Sequence, residues 1–217
     1  MAGRIDTLFS EADRDAIRAA TAEAERATSG ELVVYVVERC DNHPEVAWKA
    51  ALLGGAVGAM CGALGVRVFG GWGAADYVWV LIGLQLGLLI GWLASRFGGV
   101  ARRLVGDEEL ESRAEGRAAE AFVEEQVFAT ADRTGVLVFL ALFEHRVLVL
   151  PDQGIRDRVS AGAWDDIAAS IAKGIRAGAP APALIEAVGR CAEILSEEGV
   201  PADTANELSN EPRFRDE

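Results

Sequence analysis

The sequence predicts an α/β protein, ordered α–β, interruption, α–β–β–α–α, in which the interruption is a two-helix membrane hairpin. Three observations predict it. Two uncharged apolar runs, residues 50–66 and 77–95, are closely spaced; Lys49 and Arg67 bound the first, Asp76 and Arg96 the second. Three runs rich in β-branched, leucine and aromatic residues (31–38, 134–143 and 146–150) have strand character. Apolar residues recur at spacings of three and four in the segments before and after those runs, the mark of helices with one buried face.

Taken in order, residues 10–27 form an alanine-rich helix. Ser10 and Asp13 stand at the spacing of a capping pair, and Ile17, Ala20 and Ala24 share one face. Thr28-Ser29-Gly30 ends it, with Gly30 suited to a left-handed cap. The strand at 31–38 is apolar on both faces and is expected to be central and covered. Asp41-Asn42-His43-Pro44 breaks regular structure.

The two apolar runs then follow. At 17 and 19 residues they extend roughly 25–29 Å as helix, close to the hydrocarbon thickness of a bilayer. Gly54, Gly58 and Gly62 recur every fourth residue, as do Gly83, Gly87 and Gly91. Each set forms one stripe along which backbones can approach closely. Ala51, Gly55, Ala59 and Ala63 form a second small stripe. One stripe suits packing of the hairpin on itself and the other contact with a second copy, a route to a homo-oligomer.

Residues 103–132 are expected to form one long helix, or two joined near Gly116. The apolar run at 134–143 is too short to span as a helix and is expected to be a buried strand. It returns antiparallel through residues 146–150, by a reversal at Glu144-His145 that is not a favoured two-residue turn pair. Trp164, Ile167, Ile171 and Ile175 define a helix over 161–177. Pro180-Ala181-Pro182 resets the chain, and a last helix over 184–197 stops at Gly199 and Pro201. The divisions are residues 1–46, first part of the soluble domain; 47–97, hairpin; 98–200, second part; and 201–217, a disordered acidic tail.

Net charge is −13, and Asp76 is the one acidic residue between positions 50 and 99. An acidic surface argues against nucleic acid as a partner, since phosphate backbones require clustered lysine and arginine. The bilayer is the expected environment of the hairpin. Arg39, Lys49, Arg96, Arg102 and Arg103 flank it, whereas the link between the runs carries Arg67. That asymmetry places both termini and the soluble domain on the cytoplasmic side of the inner membrane.

Catalytic constellations are scarce. No serine stands in a nucleophile elbow, no glycine-rich phosphate loop follows a strand, and His43 and His145 fall in loops. Cys40, Cys61 and Cys191 have no metal-binding spacing and are expected as free thiols. One acidic group stands out. Asp152 closes a strand, Asp157 begins the next segment, and Asp165 and Asp166 lie on the following helix. Brought to one mouth, Asp152, Asp165 and Asp166 would suit Ca²⁺ or Mg²⁺, which would offset their mutual repulsion and polarise a phosphoryl oxygen. The same residues equally serve as helix caps and surface charge.

The motifs Thr28-Ser29-Gly30-Glu31-Leu32-Val33-Val34, Arg133-Thr134-Gly135-Val136-Leu137-Val138 and Arg146-Val147-Leu148-Val149-Leu150-Pro151-Asp152-Gln153-Gly154-Ile155, with Leu8–Asp13 and Trp164-Asp165, resemble the TPM domain family in identity and order. The resemblance covers about residues 8–46 and 103–198, and implies a small mixed sheet between helices. It implies roles such as those linked to members of the family: repair of photosystem II, receptor accessory function, and acid phosphatase activity in a plant member. The chain departs from the family by carrying a membrane hairpin inside the domain, where many members have a signal peptide in front and a membrane helix behind. Two functions are therefore expected. The first is a non-catalytic interaction, assembly or maintenance module for a membrane protein partner. The second is a divalent-metal-dependent phosphatase at the cytoplasmic membrane face.

The orientation makes a prediction. A cysteine introduced at Gly71, in a chain freed of its own cysteines, should react with a membrane-impermeant thiol reagent in intact cells once any outer barrier is permeabilised. Reaction only after lysis would reverse the assignment.

Overall fold

The computed structural model describes residues 4–28, 30–41, 43–69, 76–198, 200 and 208–216. The elements run α1 (Arg4–Leu8), α2 (Glu11–Ala27), β1 (Leu32–Val37), α3 (Pro44–Phe69), α4 (Asp76–Ala94), α5 (Gly98–Leu104), α6 (Asp107–Glu124), β2 (Val136–Ala141), β3 (Arg146–Pro151), α7 (Gln153–Arg156), α8 (Ala161–Arg176), α9 (Pro180–Glu197) and β4 (Arg213–Arg215). They divide into two units, residues 1–41 with 111–217, and residues 42–110.

In the first unit the strands are ordered β3-β2-β1-β4. β1 runs parallel to β2, from Leu32 opposite Val136 to Val37 opposite Ala141. β2 and β3 are antiparallel, with Ala141 opposite Arg146. All six residues of both β1 and β2 are buried, because each sheet face has a cover. Leu32, Val34, Val36, Val136, Val138 and Leu140 join Ile17, Trp164, Ile167, Ile171 and Leu184 in one core. Val33, Tyr35, Val37, Leu137, Phe139 and Ala141 meet Ala114, Ala118 and Ala121 of α6 in the other. Three alanines on the sheet-facing side of α6 replace bulk with close approach. A strand covered on both faces reads as a continuous apolar run, which is why β1 was recognisable as central.

Local signals explain the helix ends. The Ser10 hydroxyl accepts from the Asp13 N–H (3.2 Å), and the Asp13 carboxylate accepts from the Ser10 N–H (2.9 Å), closing the expected capping box. Gly30 differs from its expected role. α2 ends at Ala27 with Thr28 extended, and Gly178 is the one described glycine at positive φ. Gly30 instead makes room for a core side chain, since a Cβ there would lie 2.6 Å from Leu195 Cδ1. Ser29, within the same motif, lies outside the described residues.

The segment after the hairpin breaks at Val105-Gly106, not near Gly116. Val105 is extended at the end of α5, while Gly116 lies within α6 with open space where a Cβ would be. The β2–β3 reversal spans four residues, Leu142–His145, with His145 at φ 54°. α9 begins at Pro180, earlier than expected. Proline at the first helical position has no N–H to leave unsatisfied and a φ already suited to the helix. The expected stop at Gly199 and Pro201 lies outside the described residues.

The expected disorder of residues 201–217 does not extend to Arg213–Arg215. β4 pairs in parallel with Tyr35–Val37 of β1, satisfying backbone groups that an edge strand would leave open. Phe214 packs on Phe9 with ring centroids 5.3 Å apart, the Arg14 guanidinium stands 4.7 Å over the Phe214 ring, and Arg213 Nε donates to Glu125 (2.7 Å). Residues 201–207 lie outside the described set.

The second unit is built on glycine. The stripes of α3 and α4 face each other and run antiparallel. A Cβ on Gly54 would lie 2.2 Å from the Gly87 carbonyl oxygen, one on Gly58 2.0 Å from that of Gly83, and one on Gly62 2.5 Å from that of Trp79. Cβ atoms on Gly83, Gly87 and Gly91 would meet Gly58, Gly54 and Ala50 equally closely. In the second stripe Gly55 lies against Leu84 and Leu88, while Ala63 is exposed. Both helices are long and apolar enough to cross a membrane, and only 6% of the most apolar window of each is buried. A core hairpin of a water-soluble protein has the reverse burial. Leu52, Met60, Leu64 and Ile90 are each more than half exposed. The link at residues 70–75, expected on the far side of the membrane, lies outside the described residues.

Two predictions follow from these contacts. Gly58→Leu with Gly87→Leu should unpack the hairpin and lower the thermal stability of the detergent-solubilised protein; unchanged stability would show that close approach is dispensable. The second concerns Glu25, whose carboxylate accepts from the Leu32 N–H (3.2 Å) and from the Asn210 amide. Burial, reinforced by Glu31, outweighs those two hydrogen bonds and pushes Glu25 up to about 7 from 4.5. The folded state then binds more protons than the unfolded one between these values, so this contribution to stability falls as pH rises from 4.5 to about 7. After solvent screening the effect is about 1–2 kcal/mol. Glu25→Gln should flatten that part of the melting-temperature profile; a profile identical to wild type would overturn the assignment.

Candidate functional site

The motifs singled out in the sequence meet where the chain enters β2 and leaves β3. Pairing Val136 with Pro151 brings residues 133–135 beside residues 152–154. Asp152 N–H donates to the Gly135 carbonyl (2.8 Å), and Gly154 N–H to that of Arg133 (2.8 Å). The approach is close enough that a Cβ on Gly154 would lie 2.2 Å from the Asp132 carbonyl oxygen. Arg133 adopts the left-handed region (φ 57°), and from there its side chain reaches back to Asp152. Nε lies 2.5 Å from Oδ2 and the guanidinium NH2 2.9 Å from Oδ1.

Asp152 is buried. Besides this two-pronged pair, Oδ1 accepts from the Gln153 N–H (2.7 Å) at the start of α7. Burial acts to raise its carboxyl, but the Arg133 hydrogen bonds, the Gln153 N–H and the positive charges of Arg133 and Arg156 prevail and hold it below the ordinary value. The carboxylate is therefore ionised and saturated. Its stabilising contribution is present at neutral pH and lost as pH falls through its lowered value. Arg156 extends the joint by donating to the Pro151 carbonyl (2.9 Å).

The other candidate carboxylates stand elsewhere. Asp165 and Asp166 are exposed on α8, beside the buried Trp164, and Asp157 is exposed at the end of α7. Among the described residues, no group of three or more His, Cys, Asp or Glu side chains is placed to hold a metal ion. What the Asp152 arrangement can do chemically is join two loops and offer the half-exposed face of Arg133, not abstract a proton.

Two of the three thiols give little nucleophilic chemistry. All three cysteines are free. Burial and the neighbouring Glu144 carboxylate, itself fully buried and accepting from the Cys40 N–H (3.0 Å), push the Cys40 thiol well up. Burial pushes Cys191 up to about 12. His145 is exposed in its turn; His43 is buried, with Nδ1 3.3 Å from Glu45 Oε1.

The sequence also carries a signal in its aromatic residues that helix length alone does not use. Trp48 near the start of α3 lies at the same end of the hairpin as Trp92 and Phe97, while Tyr77 and Trp79 lie at the other end, and all five are exposed. Amphipathic rings at both ends of paired apolar helices form the belts seen at membrane–water interfaces.

No family model matches the chain, and no curated protein matches it. Among solved structures, it is similar to the NMR structure of BA42 protein from the psychrophilic bacteria Bizionia argentinensis sp. nov., with 16% identity and a TM-score of 0.59 over 97% of this chain and 98% of that one. At that identity the likeness concerns the fold: a small four-stranded mixed sheet flanked by helices.

Asp152→Ala should remove both the Arg133 pair and the α7 cap, destabilising the protein by about 2 kcal/mol. Denaturant unfolding of the full chain checks this; a change within error would show the joint to be ornamental.

Proposed function

We propose that the protein is a membrane-anchored, TPM-like interaction module that helps a membrane protein partner assemble or persist, without catalysis of its own. The observation that carries this reading is the exposed apolar hairpin placed between β1 and β2, two adjacent strands of one sheet. An anchor at either end of a domain can be added or lost without touching the fold. Here the chain must pass through the anchor before the sheet can form, so the soluble unit and its membrane attachment are one design. The resemblance of the sequence motifs to the TPM family, together with the fold likeness to BA42, supports the TPM assignment. The engagement of Asp152 by Arg133 and the exposure of Asp165 and Asp166 favour a binding role over metal-assisted phosphate hydrolysis.

The reading places the protein in the cytoplasmic membrane, with its termini and soluble unit inside. Purified protein should release no phosphate from a generic phosphomonoester in Mg²⁺ or Ca²⁺. Photo-crosslinking in native membranes should capture a defined membrane protein through the soluble unit. Turnover that disappears in Asp165→Ala would replace this reading with the phosphatase. A thermal shift with either ion and no turnover would reveal a structural cation.

A further inference from the structure

We propose that the groove along α3 and α4 seats an acyl chain of an anionic phospholipid, with Arg96, Arg102 and Arg103 binding its headgroup. Glycines of both stripes line its floor, where α3 and α4 meet. Leu53 and Val57 of α3 and Leu86 and Ile90 of α4 form the walls, and Val100 and Leu104 of α5 line one end.

Charge selects the occupant. At that end, Arg96 precedes α5, and Arg102 and Arg103 occupy its last turn. Lys49 stands at the same level, because the Ala50 carbonyl meets the position of a Gly91 Cβ. The Arg96 guanidinium lies 4.2 Å over the Trp92 ring, an arrangement suited to the headgroup boundary. Phe97 and Val100 are exposed between these cations, giving the segment the mixed apolar and basic character of an interfacial helix. The acidic groups of this unit near that end are Glu45, which faces His43, and Asp107–Glu109, which open α6. None of the acidic groups lines the groove; the arginines stand beyond its α5 end, next to the lining residues Val100 and Leu104.

A second copy fits this surface less well. A two-fold contact through the groove, with its axis along the membrane normal, would set each basic end against its own equivalent. A zwitterionic lipid would fill the groove without answering the charge. The inference rests on insertion of the hairpin in a bilayer and is independent of whether the soluble unit has a catalytic role.

The full chain, purified in a mild non-ionic detergent, is exposed to equal amounts of phosphatidylglycerol and phosphatidylcholine and examined by native mass spectrometry. Retained phosphatidylglycerol should exceed phosphatidylcholine about tenfold. Replacing Arg96, Arg102 and Arg103 together by Gln should bring the two close to parity. Arg67→Gln, at the opposite end of α3, should leave the preference intact. Equal retention by the wild type, a preference that survives the triple replacement, or concentration-dependent dimers in place of lipid adducts would overturn the proposal while leaving the anchor in place. A protein that stays monodisperse without detergent would overturn both.

Discussion

The parallel pairing of β1 with β2 is the constraint on which the sheet unit depends. Their backbone groups have no alternative partner inside two packed cores, and an unsatisfied buried amide or carbonyl costs more than a typical hydrogen bond contributes. Every other feature of that unit serves the pairing. α6 covers one face with alanines, α2, α8 and α9 cover the other, β4 occupies the outer edge of β1, and β3 occupies that of β2. A parallel pair requires a crossover. Here the crossover includes α6 and also the whole hairpin.

The two units are held together internally by different physics. In the sheet unit, large side chains leave water, and the resulting hydrophobic gain is the main stabilising term. Between α3 and α4 that gain is small, because the large side chains stay on the outside and only 6% of the most apolar window of each helix is buried. Backbone contact through glycine supplies dispersion instead. One chain therefore places its largest side chains at the centre of one unit and on the outside of the other. Average composition conceals this, since the 51% hydrophobic content sums two opposite distributions.

What could be read from sequence was local or periodic. Ser10 and Asp13 contain their own cap, the isoleucines of α8 repeat on one face, and β1 is apolar throughout because it is covered on both sides. What could not be read depended on distant geometry. Arg-Phe-Arg at 213–215 has no strand pattern of its own and becomes a strand because β1 has an open edge beside Phe9 and Arg14. Gly30 looks like a helix cap until Leu195 is seen to need its missing side chain. In the candidate site, Asp152 was identifiable as a turn carboxylate, but its partner was not. Arg133 reaches it through a left-handed backbone and a strand register that place residues 19 apart in the chain side by side.

The position of the hairpin has a consequence for how the protein is made. β1 leaves the ribosome about a hundred residues before the strand that completes it, and the intervening chain includes both apolar helices. At roughly 5–20 residues per second, Leu32–Val37 waits several seconds, wholly apolar and unpaired on both edges. Such a segment is a template for aggregation while it waits. The nascent chain must keep this strand shielded until Val136–Ala141 emerges, so formation of the apolar hairpin is a step within the folding of the sheet unit and not a later addition.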